Sequence, residues 1–280
     1  MDWSKAKSIL IIAFIITNLI LGYVLVENKD TEETFNKEFI EEVKGELLEK
    51  NIIITAKIPT DTPSLPKLTI EYEVYDPQKV VTLFLGKYDE KDEQFDKKFF
   101  KYRGKELTIF DNNKRLFYTS NNSEEKYKDL NESSLVEIAK NFLSERSFST
   151  DDFKLGDYDY EPNRKAHYLE YVKIHKDRFV EESYMRFEID NTGVTRFERY
   201  WIDTKDVTYS NFSISSAPNV LLRLISKVDV IGKTITDIDL CYYFSPNDES
   251  EHVDPKNTMK GQAIPAWRVK FSDGTKKFLD

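Results

Sequence analysis

Residues 9–26 read ILIIAFIITNLILGYVLV, and they determine how the rest of the chain is arranged. The stretch has no charged residue, and thirteen of its eighteen residues are Leu, Ile, Val or Phe. As a helix rising about 1.5 Å per residue, it would span about 27 Å, close to the hydrocarbon thickness of a bilayer. Its summed insertion free energy is on the order of −4 to −8 kcal/mol. The sequence therefore predicts a transmembrane helix over residues 9–26.

The charges on either side of this segment predict its orientation. Lys5 and Lys7 precede it, whereas the acidic run ENKDTEE follows it at residues 27–33. Because positive flanks stay inside, we expect residues 1–8 to be a cytoplasmic tip and residues 27–34 an external tether. A cleaved signal peptide is the alternative, but the apolar core is longer than a usual h-region and no Ala-x-Ala stretch follows. We expect a single-pass cell-membrane protein with an extracytoplasmic C-terminal domain.

Composition limits the partners and the chemistry of that external part. The chain has 280 residues and a formal net charge of −9, which argues against binding nucleic acid or anionic lipid head groups. Cys241 is the only cysteine, so the chain has no internal disulfide and no lipoprotein processing site. The 16 Tyr and 19 Phe suit strand-rich packing.

Apolar periodicity predicts a first lobe over residues 35–125. An apolar stripe at helical spacing over residues 35–50 indicates a core-facing helix, with a juxtamembrane coiled coil as the alternative. Asp76 and Pro77 predict the start of a short helix over residues 77–85, and Gly86 predicts its end. The expected strands cover residues 52–58, 68–75, 99–103, 105–110 and 115–119.

A polar stretch over residues 120–130 is the best candidate for a domain boundary, and it is followed by a second predicted lobe over residues 131–280. Leu135, Ile138 and Phe142 share one helix face, and Ser134 with Glu137 resembles a capping box. A further helix is expected over residues 217–230. The expected strands cover residues 153–160, 166–175, 183–190, 194–202, 237–245, 263–271 and 275–279.

The order of these elements predicts the fold class. Runs of neighbouring strands, separated by single helices, indicate an α+β fold in which each lobe has an antiparallel or mixed sheet with helices on one face. A doubly wound parallel sheet would need strict strand–helix alternation, which is absent.

The sequence does not contain the common catalytic motifs that would support an enzyme. There is no Gly-x-Ser-x-Gly and no Gly-x-Gly-x-x-Gly motif. Gly232-Lys233-Thr234 resembles the end of a phosphate loop, but Lys227 occupies the position of the required first glycine. The Ser-x-x-Lys match at residues 123–126 lies in the polar linker. We expect no catalytic residues and no cofactor.

Metal binding is also not predicted. His167 and His175 lie on one expected strand, with roots about 26 Å apart at about 3.3 Å per residue, too far to share an ion. A calcium loop starting at Asp157 would need glycine at its sixth position, where Pro162 stands, so Asp157, Asp159 and Glu161 are interpreted as a solvated strand face. The acidic loop at residues 247–254, which includes His252, could hold a cation but carries no recognised motif.

The expected membrane helix carries one candidate contact surface. Phe14, Asn18 and Gly22 are spaced four residues apart and therefore share one helix face. The Asn18 amide is costly in lipid unless it finds a partner, and Gly22 lets another backbone approach. The functional interpretation is a helix–helix contact; the alternative is that a single central Asn is tolerated.

Both ends of the chain resemble one family. The opening MDWSKAKS at residues 1–8, the segment Ile264-Pro265-Ala266-Trp267, the Asp273-Gly274 turn and Phe278 are similar to the YycI family, also called WalI. The resemblance implies a single-pass, extracytoplasmic accessory regulator of Gram-positive bacteria. Such proteins act with a sister protein, YycH, on the sensor histidine kinase WalK (YycG), which governs cell-wall metabolism. It carries over no catalytic residue.

Three hypotheses of function follow from these observations. The first is a membrane-anchored regulator of a two-component sensor kinase, working by protein–protein contact through its transmembrane helix and outer domain. The second is an extracytoplasmic binding module for cell-wall polymer or peptide that uses the aromatic-rich sheets. The third is an envelope hydrolase acting through residues such as Asp157, Asp159, His167 and His175.

Overall fold

The computed structural model describes residues 7, 11, 13–19, 21, 37–61, 64–244 and 259–280, and these form four helices, fourteen strands and two 3-10 turns after the N-terminal segment. The helices are α1 (residues 37–49), α2 (Pro77–Phe84), α3 (Glu132–Ser144) and α4 (Ala217–Leu221). Strands β1 to β7 are Ile53–Ile54, Leu65–Tyr72, Glu90–Gln94, Lys97–Tyr102, Lys105–Phe110, Arg115–Ser120 and Phe153–Glu161. Strands β8 to β14 are Ala166–His175, Arg178–Asp190, Gly193–Tyr200, Ile202–Phe212, Thr234–Tyr243, Lys260–Phe271 and Lys276–Leu279.

The N-terminal segment is described only in part. Residues 13–19 are helical, and the side chains of Phe14 and Asn18 are exposed. Gly22 lies outside the described residues. None of the helices in the described parts of the chain combines the length and the apolarity that a membrane crossing requires. The transmembrane helix over residues 9–26 stays a prediction.

Backbone proximity divides the chain into two compact units. The first consists of the described parts of Met1–Thr62, Ser215–Ile238 and Val269–Thr275. The second consists of the described parts of Pro63–Ile214, Asp239–Arg268 and Lys276–Asp280. Each of these units combines segments that are distant in sequence. The predicted lobes, residues 35–125 and 131–280, are continuous stretches of sequence, and they stay a prediction.

In the first unit, α1 ends in a Schellman motif and leads into a short parallel strand pair. Asn51 has a φ of 59°, and the Ile52 N–H donates to the Leu47 carbonyl at 2.9 Å. Strand β1 then pairs in parallel with the start of β12 through Ile53 and Ile54. The buried apolar side chains of this unit include Val43, Leu47, Ile52, Val220, Leu221, Leu224, Val230, Ile235, Val269 and Phe271.

The second unit is built on a large, mostly antiparallel sheet. Its strands follow the order β11-β2-β13-β12-β9-β10-β6-β5-β4-β3, and β7 joins through β8 to β9. The pairing of β12 with β9 is parallel, and it runs through Tyr242 and Tyr243. Together with the helices, this arrangement confirms the predicted α+β class.

Helices α2 and α3 cover one face of this sheet and close an aromatic core around Phe197. Phe197 is fully buried on β10, and its ring lies 5.0 Å from Phe142 of α3 and 4.8 Å from Phe187 of β9. Phe84 of α2 stacks at 6.2 Å. Aromatic pairs at these separations add about 0.5–1.5 kcal/mol beyond the burial of their area. Together with the buried aliphatic residues of both helices, these aromatic contacts hold α2 and α3 on the sheet.

The starts of α2 and α3 show how local sequence sets their positions. The Asp76 carboxylate accepts hydrogen bonds from the Gln78 and Lys79 backbone N–H groups, which confirms the predicted α2 start. The predicted capping box at Ser134 and Glu137 is wrong. Helix α3 starts earlier, because the Asn131 side chain accepts from the Ser134 N–H at 3.0 Å and the Asn131 N–H donates back to the Ser134 hydroxyl.

The continuous helix predicted over residues 217–230 is also wrong. Helix α4 ends at Leu221 and is followed by 3-10 turns over Leu222–Ser226 and Val228–Val230. Lys227 between the turns has an extended backbone, with a φ of −96° and a ψ of 106°. Buried Leu221 and Leu224 are three residues apart, a spacing that fits a 3-10 helix as well as an α-helix.

Some strands of the structure differ from the strands predicted from the sequence, because their sequences lack apolar alternation. Strand β3, sequence EKDEQ, was not predicted because all its residues are charged or amide and all are exposed. Strand β11 was predicted only at its first residue, Ile202. The strand predicted over residues 52–58 forms only at Ile53–Ile54. Edge and connecting strands thus lack the periodic signal that core strands carry.

The aromatic core predicts the effect of truncating its central ring. The substitution Phe197→Ala leaves a cavity among Phe84, Phe142 and Phe187, so we expect the free energy of unfolding to fall by about 3–5 kcal/mol. The matched control is Phe95→Ala, because Phe95 is fully exposed at the β3–β4 turn. Urea unfolding of the full chain, followed by circular dichroism, measures both. Equal losses in the two variants would contradict this assignment of the core.

Candidate interaction surface

The sheet of the second unit has a second face, opposite α2 and α3, which we call the open face. Strand register aligns its side chains into two rows that each cross eight strands. The central row, from β3 to β7, consists of Asp92, Phe99, Thr108, Phe117, Glu198, Arg186, Glu170 and Asp157. The neighbouring row consists of Glu90, Lys101, Glu106, Thr119, Arg196, Glu188, Tyr168 and Asp159.

Opposite charges face each other along these rows. Arg186 contacts Glu170 at 2.7 Å and Glu198 at 3.9 Å. Arg196 contacts Glu188 at 3.3 Å in the neighbouring row. Lys276 of β14 also reaches Glu170. The arginines of these pairs are about half exposed, whereas the carboxylates of Glu170 and Glu188 are largely buried. A fully exposed pair contributes only roughly 0.2–1 kcal/mol, so these partly shielded pairs fix the register of the strands more firmly than surface pairs would.

Aromatic side chains interrupt the charged rows near β5 and β6. Phe117 and Phe110 are half-buried, and together with Thr108, Glu198 and the β3–β4 turn they line a concavity of about 610 Å³. The Arg115 guanidinium lies 5.5 Å from the Phe110 ring. Aromatic residues and arginines are the residue types enriched where proteins contact one another. Around Phe110, Phe117 and Arg115, the open face therefore carries residue types that are common in protein contact surfaces.

The most strongly perturbed carboxyl on this face is that of Glu170. Burial alone would raise its pKa, but the ion pairs with Lys276 and Arg186 outweigh burial and hold the pKa below the usual range. Its side chain is 15% exposed, so the pair with Lys276 is partly shielded from solvent. Glu170 is thus ionised at neutral pH and fixed between two cations.

Asp157 and Asp159, predicted as a solvated strand face, lie at the β7 ends of the two rows. Strand β7 pairs with β8 alone and is therefore an edge of the sheet. The Asp157 carboxylate accepts from the Tyr158 N–H at 2.9 Å, and Asp159 accepts from the Tyr160 N–H at 2.8 Å. A backbone donor that is bound by a neighbouring carboxylate is not offered to another strand. These aspartates therefore protect the edge from intermolecular pairing.

The other residues considered for chemistry are held in separate local contacts. His167 and His175 lie at opposite ends of β8; the first contacts the Tyr158 hydroxyl at 3.0 Å and the second lies beside the Tyr242 ring. Glu161 accepts from the Tyr168 hydroxyl. Among the described residues there is no group of three or more His, Cys, Asp or Glu side chains that could hold a metal ion. Residues 247–254, with His252, lie outside the described residues.

Sequence reasoning did not predict the charged residues that the structure buries, and Arg199 is the one beside the aromatic core. Arg199 follows Phe197 on the core side of β10, where it contacts the Glu73 carboxylate and lies 4.8 Å from the Trp201 ring. Its guanidinium also donates to the Tyr75 hydroxyl. One sequence signal could have predicted the burial of Arg199. It is a charged residue at a position where the alternating residues, Phe197 and Trp201, are apolar.

These features define the class of protein: an α+β chain, mostly β-sheet, with cross-strand rows of charged and aromatic side chains on one face of the sheet. The family model for YycI protein matches residues 26–279. The chain therefore belongs to the YycI family.

Solved structures are similar to this fold at low identity. The crystal structure of YycH from Bacillus subtilis matches with a TM-score of 0.50 and 13% identity, over 78% of this chain and 53% of that chain. The chain thus spans about half the length of that structure. An uncharacterized protein from Eubacterium rectale matches with a TM-score of 0.47 and 11% identity, over 82% of this chain and 86% of that one. No curated protein matches the sequence.

The depressed pKa of Glu170 predicts a pH-dependent effect of Glu170→Gln. A carboxyl whose pKa is lower in the folded state stabilises the fold above its unfolded pKa, and this contribution disappears as the pH falls through the folded pKa. We therefore expect Glu170→Gln to lower the unfolding temperature at pH 7, by an amount that shrinks as the pH falls below the unfolded pKa and through the folded pKa. The control is Glu106→Gln, whose pair with Lys101 is 39% exposed on both sides, and which should change stability by less than about 0.5 kcal/mol. A Glu170→Gln deficit that is constant with pH would contradict the ion-pair account.

The carboxylates on the β7 edge predict a difference between two double variants. Asp157→Ala with Asp159→Ala frees the Tyr158 and Tyr160 N–H groups, so we expect aggregation at lower protein concentration, measured by light scattering. Asp157→Asn with Asp159→Asn keeps an accepting oxygen at each position and removes the same charge. If the Asn pair aggregated as readily as the Ala pair, net charge rather than edge protection would be the cause.

Proposed function

We propose that this chain is a membrane-anchored, extracytoplasmic regulator of the WalK (YycG) sensor histidine kinase, acting together with a YycH protein by protein–protein contact. The observation that carries the proposal is the family match, which covers residues 26–279. The likeness to the YycH fold supports a common architecture for the two proteins. The apolar segment at residues 9–26 supports anchoring, with the N-terminus in the cytoplasm.

Two surfaces are proposed to contact the partners. Within the membrane, Phe14, Asn18 and Gly22 would face a neighbouring helix, because the Asn18 amide gains a hydrogen bond there that lipid cannot provide. Outside, the open face offers guanidinium and aromatic groups that are already ordered by cross-strand pairs. Side chains that are ordered before binding lose less conformational entropy when a partner arrives.

The proposed mechanism is a shift of population between two arrangements of the kinase. The regulator would bind one arrangement more tightly than the other, and a differential of about 1–3 kcal/mol would change the balance 5- to 150-fold. No chemical step is required of the regulator, so its effect depends on contact alone.

Site-specific cross-linking tests the membrane contact. A photoreactive residue at Asn18 of the full chain, expressed in native membranes of a Gram-positive host, should capture the sensor kinase. The control position is Ile16, two residues away and about 200° around the helix, where capture should be weak. Recovery of unrelated proteins only, or equal kinase capture from both positions, would overturn the proposed contact.

The same assay tests the outer contact. Arg196→Glu reverses one exposed charge of the open face, and we expect it to reduce kinase capture from Asn18. Arg103→Glu places the same charge change in the β4–β5 turn and should leave capture unchanged. Sedimentation of the protein with purified wall, together with no kinase capture, would favour a cell-wall binding module instead.

A further inference from the structure

A cavity of about 400 Å³ lies on the helix-covered side of the second unit, where α3 begins above β7 and β8. Its volume is within the usual range of ligand pockets, about 300–1,000 Å³. It is distinct from the open face, because Tyr158 alternates with Asp157 and Asp159, and a register shift between Leu155 and Asp157 pairs Leu155 with the buried Tyr171. Its lining residues are Leu130, Asn131, Glu132, Leu135, Val136, Leu155, Tyr158, His167 and Leu169.

The walls of this cavity are mainly aliphatic. Leu135 and Leu169 are buried, whereas Leu155 is 43% exposed and Tyr158 is 49% exposed. The cavity thus has an apolar interior and an apolar rim that faces solvent. Covering the rim with an apolar group would remove its surface from water, which favours binding.

Few polar groups accompany these walls. His167 Nδ1 contacts the Tyr158 hydroxyl at 3.0 Å, and the Tyr160 ring lies 4.6 Å from the imidazole ring. Partial burial lowers the pKa of His167, so the imidazole is neutral at pH 7. Glu132 is then the only charged residue of the lining, and its exposed carboxylate gives the cavity mouth a negative charge.

From this combination, we propose that the cavity receives an apolar side chain of a partner polypeptide that carries Lys or Arg beside that side chain. The aliphatic walls select the apolar group, and Glu132 favours a cation over an anion at the mouth. Insertion of a side chain is favoured over addition of a strand, because Asp157 and Asp159 occupy the edge donors of β7. The inference depends on the cavity alone and does not require the partner to be a sensor kinase.

Binding of matched peptides to the full chain tests this inference. The probes are a short fluorescent peptide with a central Leu-Leu flanked by lysines, and its counterpart flanked by glutamates. Fluorescence anisotropy should show saturable binding of the lysine peptide, at least about tenfold tighter than the glutamate peptide. Leu155→Asp should weaken binding of the lysine peptide at least about tenfold. Leu83→Asp is the control, because Leu83 is a leucine of α2 that is 40% exposed, and it should leave binding unchanged.

The charge preference is tested separately from the apolar contact. Glu132→Gln should bring the two peptides to similar affinity without abolishing binding, because the apolar walls remain. Absence of binding by either peptide, or equal weakening by Leu155→Asp and Leu83→Asp, would overturn the proposal. An unchanged preference for lysine in Glu132→Gln would overturn the assignment of the cation contact to this carboxylate.

Discussion

The packing of α2 and α3 against a single face of the sheet is the constraint on which the rest of the second unit depends. Phe197, Phe142 and Phe84 bury that face, so the strands beneath these helices present apolar residues on that side. On the opposite side, cross-strand pairs such as Arg186 with Glu170 link the strands. Exposed pairs contribute little to stability, so the core fixes the sheet and the pairs decorate it.

One-sided burial also explains how the sheet avoids unwanted strand pairing. A sheet with an exposed face and free edges is a template for another chain. At β3 the edge is composed entirely of exposed charged or amide residues, and at β7 the Asp157 and Asp159 carboxylates bind the outward donors. Association through the backbone is thus disfavoured at these two edges. The proposed contacts with partners would use side chains, on the open face and at the cavity beside α3.

The sequence predicted those elements whose signals are local. Asp76 with Pro77 located α2, and apolar alternation located β5, β6 and β8, because capping and periodicity act within a few residues. The predicted capping box of α3 lies one turn too late in the sequence. Both Asn131 with Ser134 and Ser134 with Glu137 have residue types that can form such a box, and the structure uses the first pair. The open face could not be predicted, because the pairing of Phe117 with Glu198 joins strands about eighty residues apart and depends on register. The candidates at Phe14, Asn18 and Gly22 remain predictions of the sequence.

The two surfaces proposed for contact with partners would contribute differently to binding. Exchanging an exposed charge pair for a pair with a partner changes the free energy little, so the open face would contribute to orientation and association rate more than to affinity. Affinity requires apolar groups that become fully buried, and these are found at Phe117 within the open face and at Leu155 beside the cavity. Both residues lie on the sheet that packs against the aromatic core. A partner that contacts either residue would therefore bind a surface that is already ordered. Such a regulator would therefore act by binding one arrangement of its partner more tightly than another, and its own fold would not need to change.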